Sequence, residues 1–178
     1  MGLIHYYYGM GNGKTSILLG HVVRAVGWKL NVLVIQFLKK HNPNKEKWFY
    51  MGEYVTLEEK LGVDILQYGG YEFVRKKEQI QAKKAIMEKA FCKMKEVLSS
   101  DKYDLVLLDE LPTAVKLGFF DKERIINLLE NRQEKIEVLI AGREKFQDFI
   151  NIADYCVHLE EIKHPFQKGI KARPGIEY

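Results

Sequence analysis

Short apolar segments alternate with longer amphipathic segments along most of this chain. The short segments are rich in valine, isoleucine and leucine at consecutive positions, which is typical of strands covered on both faces. The pattern predicts strands at residues 3–8, 31–37, 64–68, 103–109, 137–141 and 155–159. Strands that alternate with helices in this way indicate an α/β fold with an open, mostly parallel sheet and flanking helices.

The amphipathic segments repeat their apolar positions every three or four residues, as helices do. They predict helices at residues 15–26, 75–99, 121–131 and 146–152. Gly27 supplies a stop signal for the first helix, and Asp121 is a suitable N-cap for the third. Residues 39–48 are polar apart from Trp48 and are expected to form a loop.

The chain has 178 residues, a length that fits one domain. We therefore expect a single α/β domain over residues 1–178. The last segment, residues 163–178, contains two prolines and two glycines and shows no clear period. These features indicate a C-terminal tail that is associated with a ligand.

Composition narrows the classes of function. The formal net charge is +4, which suits an anionic ligand but is too small to indicate a nucleic acid as partner. Cys92 and Cys156 are the only cysteines, which excludes a disulfide scaffold and a zinc ribbon. No apolar stretch approaches the length of a membrane span, and the first residues show no basic leader. We therefore expect a cytoplasmic protein without a membrane partner.

A glycine-rich segment, Gly-Met-Gly-Asn-Gly-Lys-Thr, lies at residues 9–15 between the first strand and the first helix. This setting is typical of a P-loop, in which backbone N–H groups and a helix N-terminus bind phosphate. The position of the first consensus glycine is occupied by Tyr8, so the match is imperfect. A strand-to-helix turn without a ligand remains the alternative. We assign phosphate binding to Gly9, Gly11, Asn12, Gly13, Lys14, Thr15 and Ser16.

The apolar segment Leu-Val-Leu-Leu ends in Asp109 and Glu110. Because ligands of open α/β sheets bind at the carboxyl ends of the strands, these carboxylates suit a magnesium site, directly or through water. We assign Thr15, Asp109 and Glu110 to Mg²⁺, and Lys14 and Glu110 to catalysis. A solvated acidic pair at a strand end is the alternative for the carboxylates alone.

The chain resembles the P-loop type of ATP:corrinoid adenosyltransferase, a family of the P-loop NTPase (RecA-like) class. The matching segments are residues 9–16, 24–27, 36–39, 107–111, 140–143 and 161–178. The resemblance implies that Co(I) of a corrinoid, cobalamin or a cobyrinic acid derivative, attacks the 5′ carbon of ATP. The products would be an adenosylcorrinoid and triphosphate.

The same resemblance implies further roles and partners. Arg24 would lie near the nucleoside, and Tyr71 and Phe73 would pack against the lower corrin face. A homodimer and a reduced flavoprotein as electron donor are also implied. The loop departs from the family pattern at Met10, where asparagine or aspartate is usual, and at Asn12, where lysine is usual. Losing that lysine removes a cation from the triphosphate.

Two other functions remain open. A P-loop kinase or ATPase would transfer or hydrolyse the γ-phosphate and release ADP, and it would need a residue that orients water or an acceptor. A binding module for ATP or a corrinoid would show binding without turnover, and Met10 and Asn12 are the residues that motivate it.

Overall fold

The computed structural model describes residues 1–44, 50–70 and 77–176, with the side chains of all of these except 77 and 78. The strands within those ranges are β1 (Ile4–Tyr8), β2 (Val32–Phe37), β3 (Asp64–Tyr68), β4 (Leu105–Asp109), β5 (Glu137–Gly142) and β6 (Tyr155–His158). They form one sheet in the order β3-β2-β4-β5-β1-β6, and every pairing is parallel. The predicted strands and the parallel α/β class are confirmed.

The described helices are α1 (Lys14–Gly27), α2 (Gly52–Val55), α3 (Lys77–Leu98), α4 (Leu111–Lys116), α5 (Lys122–Glu130) and α6 (Gln147–Ile152). Four of them were predicted, and residues 75 and 76 of the second prediction lie outside the described ranges. The sequence did not predict α2, which continues into a π-helical turn at Thr56–Lys60, or α4. Helix α2 has only four residues, which are too few to show an apolar period, and α4 begins immediately after β4, at the left-handed turn of Glu110. None of the described helices is long and apolar enough to cross a bilayer.

The predicted start of α5 and the predicted end of α1 are formed in different ways. Asp121 caps α5, because its carboxylate accepts a hydrogen bond from the Arg124 backbone N–H at 2.9 Å. The stop predicted at Gly27 is confirmed, since α1 ends at this residue, but Lys29 rather than a glycine makes the left-handed turn that follows, with φ of 60°. Helix ends are read from sequence only to within one or two residues.

Apolar layers cover both faces of the sheet. Neighbouring residues of a strand point to opposite faces, so Leu107 and Leu108 of β4 belong to different layers. The layer beneath α1 includes Leu18, Val22, Val34, Leu107 and Leu139. The layer beneath α3, α5 and α6 includes Met87, Met94, Leu108, Ile125 and Phe149. Burial on both faces explains why the central strands β2 and β4 are apolar apart from Gln36 and Asp109.

The carboxyl ends of the parallel strands meet at one edge of the sheet. Strand β5 lies between β1 and β4, and its Ala141 is in register with Tyr7 on one side and Asp109 on the other. Neighbouring strands are about 4.8 Å apart, so the ends of β1 and β4 lie about 10 Å apart. On the far side of β4, Gln36 of β2 is in register with Asp109. The fold therefore brings the residues after β1, β2 and β4 to one place.

Candidate functional site

Glycine is required at two positions of the loop between β1 and α1. Gly9 and Gly13 have φ of 124° and 96°, conformations that residues with a Cβ rarely adopt. A Cβ on Gly9 would also lie 2.2 Å from the carbonyl oxygen of Leu159. The N–H of Gly11 donates to the same oxygen at 3.1 Å. The loop is a tight turn that packs against the segment after β6.

The Lys14 side chain folds back over this loop. Its Nζ donates hydrogen bonds to the carbonyl oxygens of Gly9 and Gly11, each at 2.6 Å. Burial lowers the pKa of Lys14, although the negative charge of Glu110 opposes this effect. The contacts fix the ammonium group at the mouth of the loop, where it would meet a bound anion.

The N-terminus of α1 is open to a ligand. Gly13 is its N-cap and contributes no side-chain hydrogen bond, and the first turn has no acidic residue. The first backbone N–H groups of a helix have no partner within the helix, and they carry its positive dipole end. This arrangement suits a phosphate group.

Asp109 lies at the centre of the site, where its carboxylate is almost fully buried. The Thr15 hydroxyl is 3.4 and 3.5 Å from its two oxygens. The Lys39 ammonium lies 2.9 Å from Oδ2 of Asp109. Burial alone would lower the pKa of Lys39, but attraction to Asp109 and Glu110 outweighs burial and raises it. A hydroxyl and a carboxylate this close are the hard oxygen donors that fit Mg²⁺.

The Glu110 carboxylate contacts helix α4. Glu110 adopts a left-handed conformation with φ of 62°, and its N–H donates to the carbonyl oxygen of Ala141 at 2.8 Å. Its Oε2 accepts a hydrogen bond from the Thr113 hydroxyl at 2.5 Å. The same hydroxyl lies 2.8 Å from Oε2 of Glu144. The structure therefore places Glu110 beside the loop with its side chain held by α4.

The other assigned residues differ in their distance from Asp109 and Lys14. Asn12 and Ser16 are exposed on the loop and on the first turn of α1. Arg24 lies in the last turn of α1, and ten residues of helix place it about 15 Å from Lys14. Tyr71 and Phe73 lie outside the described residues, as does Trp48 of the predicted loop. The roles assigned to Asn12, Ser16, Arg24, Tyr71 and Phe73 stay predictions.

Comparison with known proteins decides the family. The family model described as ATP:corrinoid adenosyltransferase BtuR/CobO/CobP matches residues 1–178. This chain belongs to that family. Corrinoid adenosyltransferase CobA of Salmonella typhimurium is 33% identical over 177 residues, which are 99% of this chain and 86% of that protein. The corrinoid adenosyltransferase of Escherichia coli is 32% identical with the same coverage, and that of a Sinorhizobium species is 31% identical over 180 residues, 99% of this chain and 80% of the relative.

The family resemblance seen in the sequence is thus confirmed, and its named members are transferases. Sequence reasoning gave no role to Lys39 or Arg143, which the structure brings to the site of this corrinoid adenosyltransferase family member. Arg143 follows β5. Burial is the main cause of the lowered pKa of Lys14, and the positive charge of Arg143 lowers that pKa further, whereas Glu110 opposes the shift. Both cations come within two residues of the end of a strand at the site edge, and that position is the signal that would have found them.

Proposed function

We propose that this chain transfers the 5′-deoxyadenosyl group of ATP to the reduced cobalt of a corrinoid. Co(I) would donate its electron pair to the 5′ carbon, so that a cobalt–carbon bond forms. The bond between the 5′ carbon and the phosphate oxygen breaks, and triphosphate leaves with that electron pair. The corrinoid would be cobalamin or a cobyrinic acid derivative.

The observation that carries the proposal is Lys14, held by two loop carbonyls in front of an uncapped helix N-terminus, in a chain of this family. An anionic leaving group needs positive charge that is already in place when the bond breaks. Lys14 and the loop N–H groups would provide it. Because Co(I) is itself the nucleophile, the reaction needs no protein base.

We further propose that Thr15 and Asp109 hold Mg²⁺, with Glu110 acting through water. When bound, the ion would neutralise charge on the phosphate oxygens. Asp109 suits this role because its carboxylate is buried and already next to the Thr15 hydroxyl. Arg24 would contact the nucleoside end of ATP.

On the corrin side, we propose that Tyr71 and Phe73 exclude water and the displaced base from the lower face of the corrinoid. The tail, residues 163–178, would cover the bound ligands. In support, the tail exposes the apolar side chains of Phe166, Ile170 and Ile176 to solvent. A homodimer and a reduced flavoprotein as electron donor complete the proposal.

Product analysis tests the function. The protein is incubated without oxygen with ATP, Mg²⁺ and chemically reduced cob(I)alamin, and the cobalt–carbon absorbance, its light sensitivity and the released phosphates are measured. The proposal expects a light-sensitive adenosylcorrinoid and triphosphate in equal amounts. ADP or phosphate without a light-sensitive product would favour a kinase or ATPase, and binding without turnover would favour a binding module.

A further inference from the structure

Lys39 is held at the site by an unusual backbone turn. Leu38 has φ of 63°, a left-handed conformation that is unfavourable for leucine, and its N–H donates to the carbonyl oxygen of Tyr68 at 2.8 Å. Gly69 lies against this turn so closely that a Cβ would be 2.3 Å from the backbone nitrogen of Lys39. The end of β2 and the residue after β3 therefore fix where Lys39 leaves the sheet.

The Lys39 ammonium contacts the carboxylate that is proposed to hold Mg²⁺. Its ammonium lies 2.9 Å from Oδ2 of Asp109, the buried carboxylate that also faces the Thr15 hydroxyl. A buried carboxylate needs a compensating positive charge. In this structure that charge belongs to Lys39, so a divalent cation and the Lys39 ammonium compete for one carboxylate.

The loop itself has little positive charge for a triphosphate. Lys14 is the only charged residue between residues 9 and 16, and its ammonium already donates to two carbonyl oxygens. Lys39 is near enough for its charge to lower the pKa of Lys14, although burial, Glu110, Arg143 and Asp109 have larger effects. A cation displaced from Asp109 would thus have phosphate oxygens within reach.

We propose that Lys39 is a triphosphate-binding residue that exchanges partners when the nucleotide binds. Without nucleotide it neutralises Asp109 and disfavours a metal ion on its own. When Mg²⁺ and ATP enter together, the ion takes Asp109 and the Lys39 ammonium turns to the phosphates. This inference rests on the proposed function, because it needs a triphosphate in the loop.

Two binding measurements on Lys39→Met test the exchange, with Mn²⁺ alone and with ATP in excess Mg²⁺. Mn²⁺ should bind the variant about three- to tenfold more tightly, since its competitor for Asp109 is gone. MgATP should bind about tenfold or more weakly, since a charge-assisted contact to phosphate is lost. Lys135→Met removes the same charge at Asp101 and should bind both ligands as wild type does.

A purely structural role of Lys39 would weaken both ligands together, and that result overturns the proposal. Unchanged binding of either ligand overturns it as well. Adding Asn12→Lys to Lys39→Met puts a cation back into the loop and should recover most of the MgATP affinity, whereas a collapsed site would not recover. If the wild-type chain itself fails to bind MgATP, the proposed function fails, and the inference fails with it.

Discussion

Backbone conformation at single residues shapes the edge of the sheet where the site lies. Among the described residues, Lys29, Leu38 and Glu110 have positive φ without being glycine. Two of these three are near Asp109. Glu110 follows Asp109 in the chain, and Leu38 precedes Lys39, whose ammonium forms an ion pair with Asp109. Such conformations cost about 1–2 kcal/mol each and persist where the surrounding structure imposes them. Backbone strain is therefore concentrated beside the proposed metal site.

The two positive-φ glycines of the loop form a matched pair of test positions. Gly13→Ala adds a Cβ into open space, so we expect only the left-handed penalty, a loss of about 1–2 kcal/mol in the free energy of unfolding. Gly9→Ala should lose more, because its Cβ also meets the Leu159 carbonyl. Urea unfolding of both variants measures the difference. Equal losses would show that the segment after β6 does not hold the loop.

We expect His21 to make the stability of the protein depend on pH. Its Nε2 lies 3.0 Å from the Tyr7 hydroxyl, and burial, followed by the nearby His5 and Arg24, lowers its pKa from 6.5. The unfolded chain therefore binds a proton more readily than the folded chain, and stability falls as the pH drops through about 6.5. This contribution is fully present only above the unfolded pKa.

His21→Gln removes the titrating group and keeps a polar side chain on α1. We expect the variant to lose less stability than wild type between about pH 7.5 and about pH 5.5, the range that spans the ordinary histidine pKa. The free energy of unfolding, measured in urea at both pH values, checks this. Parallel losses in the two proteins would contradict the assignment to His21.

At the scale of elements, hydrogen bonds near the ends of a helix determine where it begins, and only some of these bonds can be predicted from the sequence. The cap of α5 was predictable because the Asp121 carboxylate bonds a backbone N–H only three residues away. The start of α4 was not, because it follows from the left-handed conformation of Glu110, whose N–H bonds to Ala141 of another strand. Local contacts leave a local signal, whereas long-range contacts do not.

Asp121→Ala tests the local contact. Removing the carboxylate leaves the Arg124 N–H without its partner, and we expect a loss of about 1 kcal/mol in the free energy of unfolding. Asp121→Asn keeps an oxygen acceptor and should stay close to wild type. Thermal or urea unfolding distinguishes the variants, and an unchanged Asp121→Ala would show that the cap contributes nothing.

At the scale of the whole molecule, the sheet and the tail differ in how much they are buried. The central strands β2 and β4 are buried along their full length, while every residue of the edge strand β6 is exposed. The tail contains one short 3₁₀-helix, Pro165–Lys168, and from residue 165 to residue 176 its residues are exposed. A segment that buries so little adds little to folding, which agrees with a proposed role in covering ligands.

Removal of residues 163–178 separates folding from function. We expect the shortened chain to keep its free energy of unfolding to within about 0.5 kcal/mol, as for other exposed positions. The rate of corrinoid adenosylation should fall strongly, because the ligands would lose their cover. Urea unfolding and the anaerobic assay measure the two effects. A full rate in the shortened chain would contradict the proposed role of the tail.

By itself, the sequence determined the strands, the parallel α/β class, the glycine-rich loop and the acidic pair of this corrinoid adenosyltransferase family member. Each of these follows from neighbouring residues, through the apolar period, the glycines or the order of residues after a strand. Only the tertiary structure decided that Lys39 neutralises Asp109 and that Leu159 closes over the loop. These contacts join residues that are distant in the chain. They form because of the order of the parallel strands and the left-handed turns, and neither of these leaves a periodic signal in the sequence.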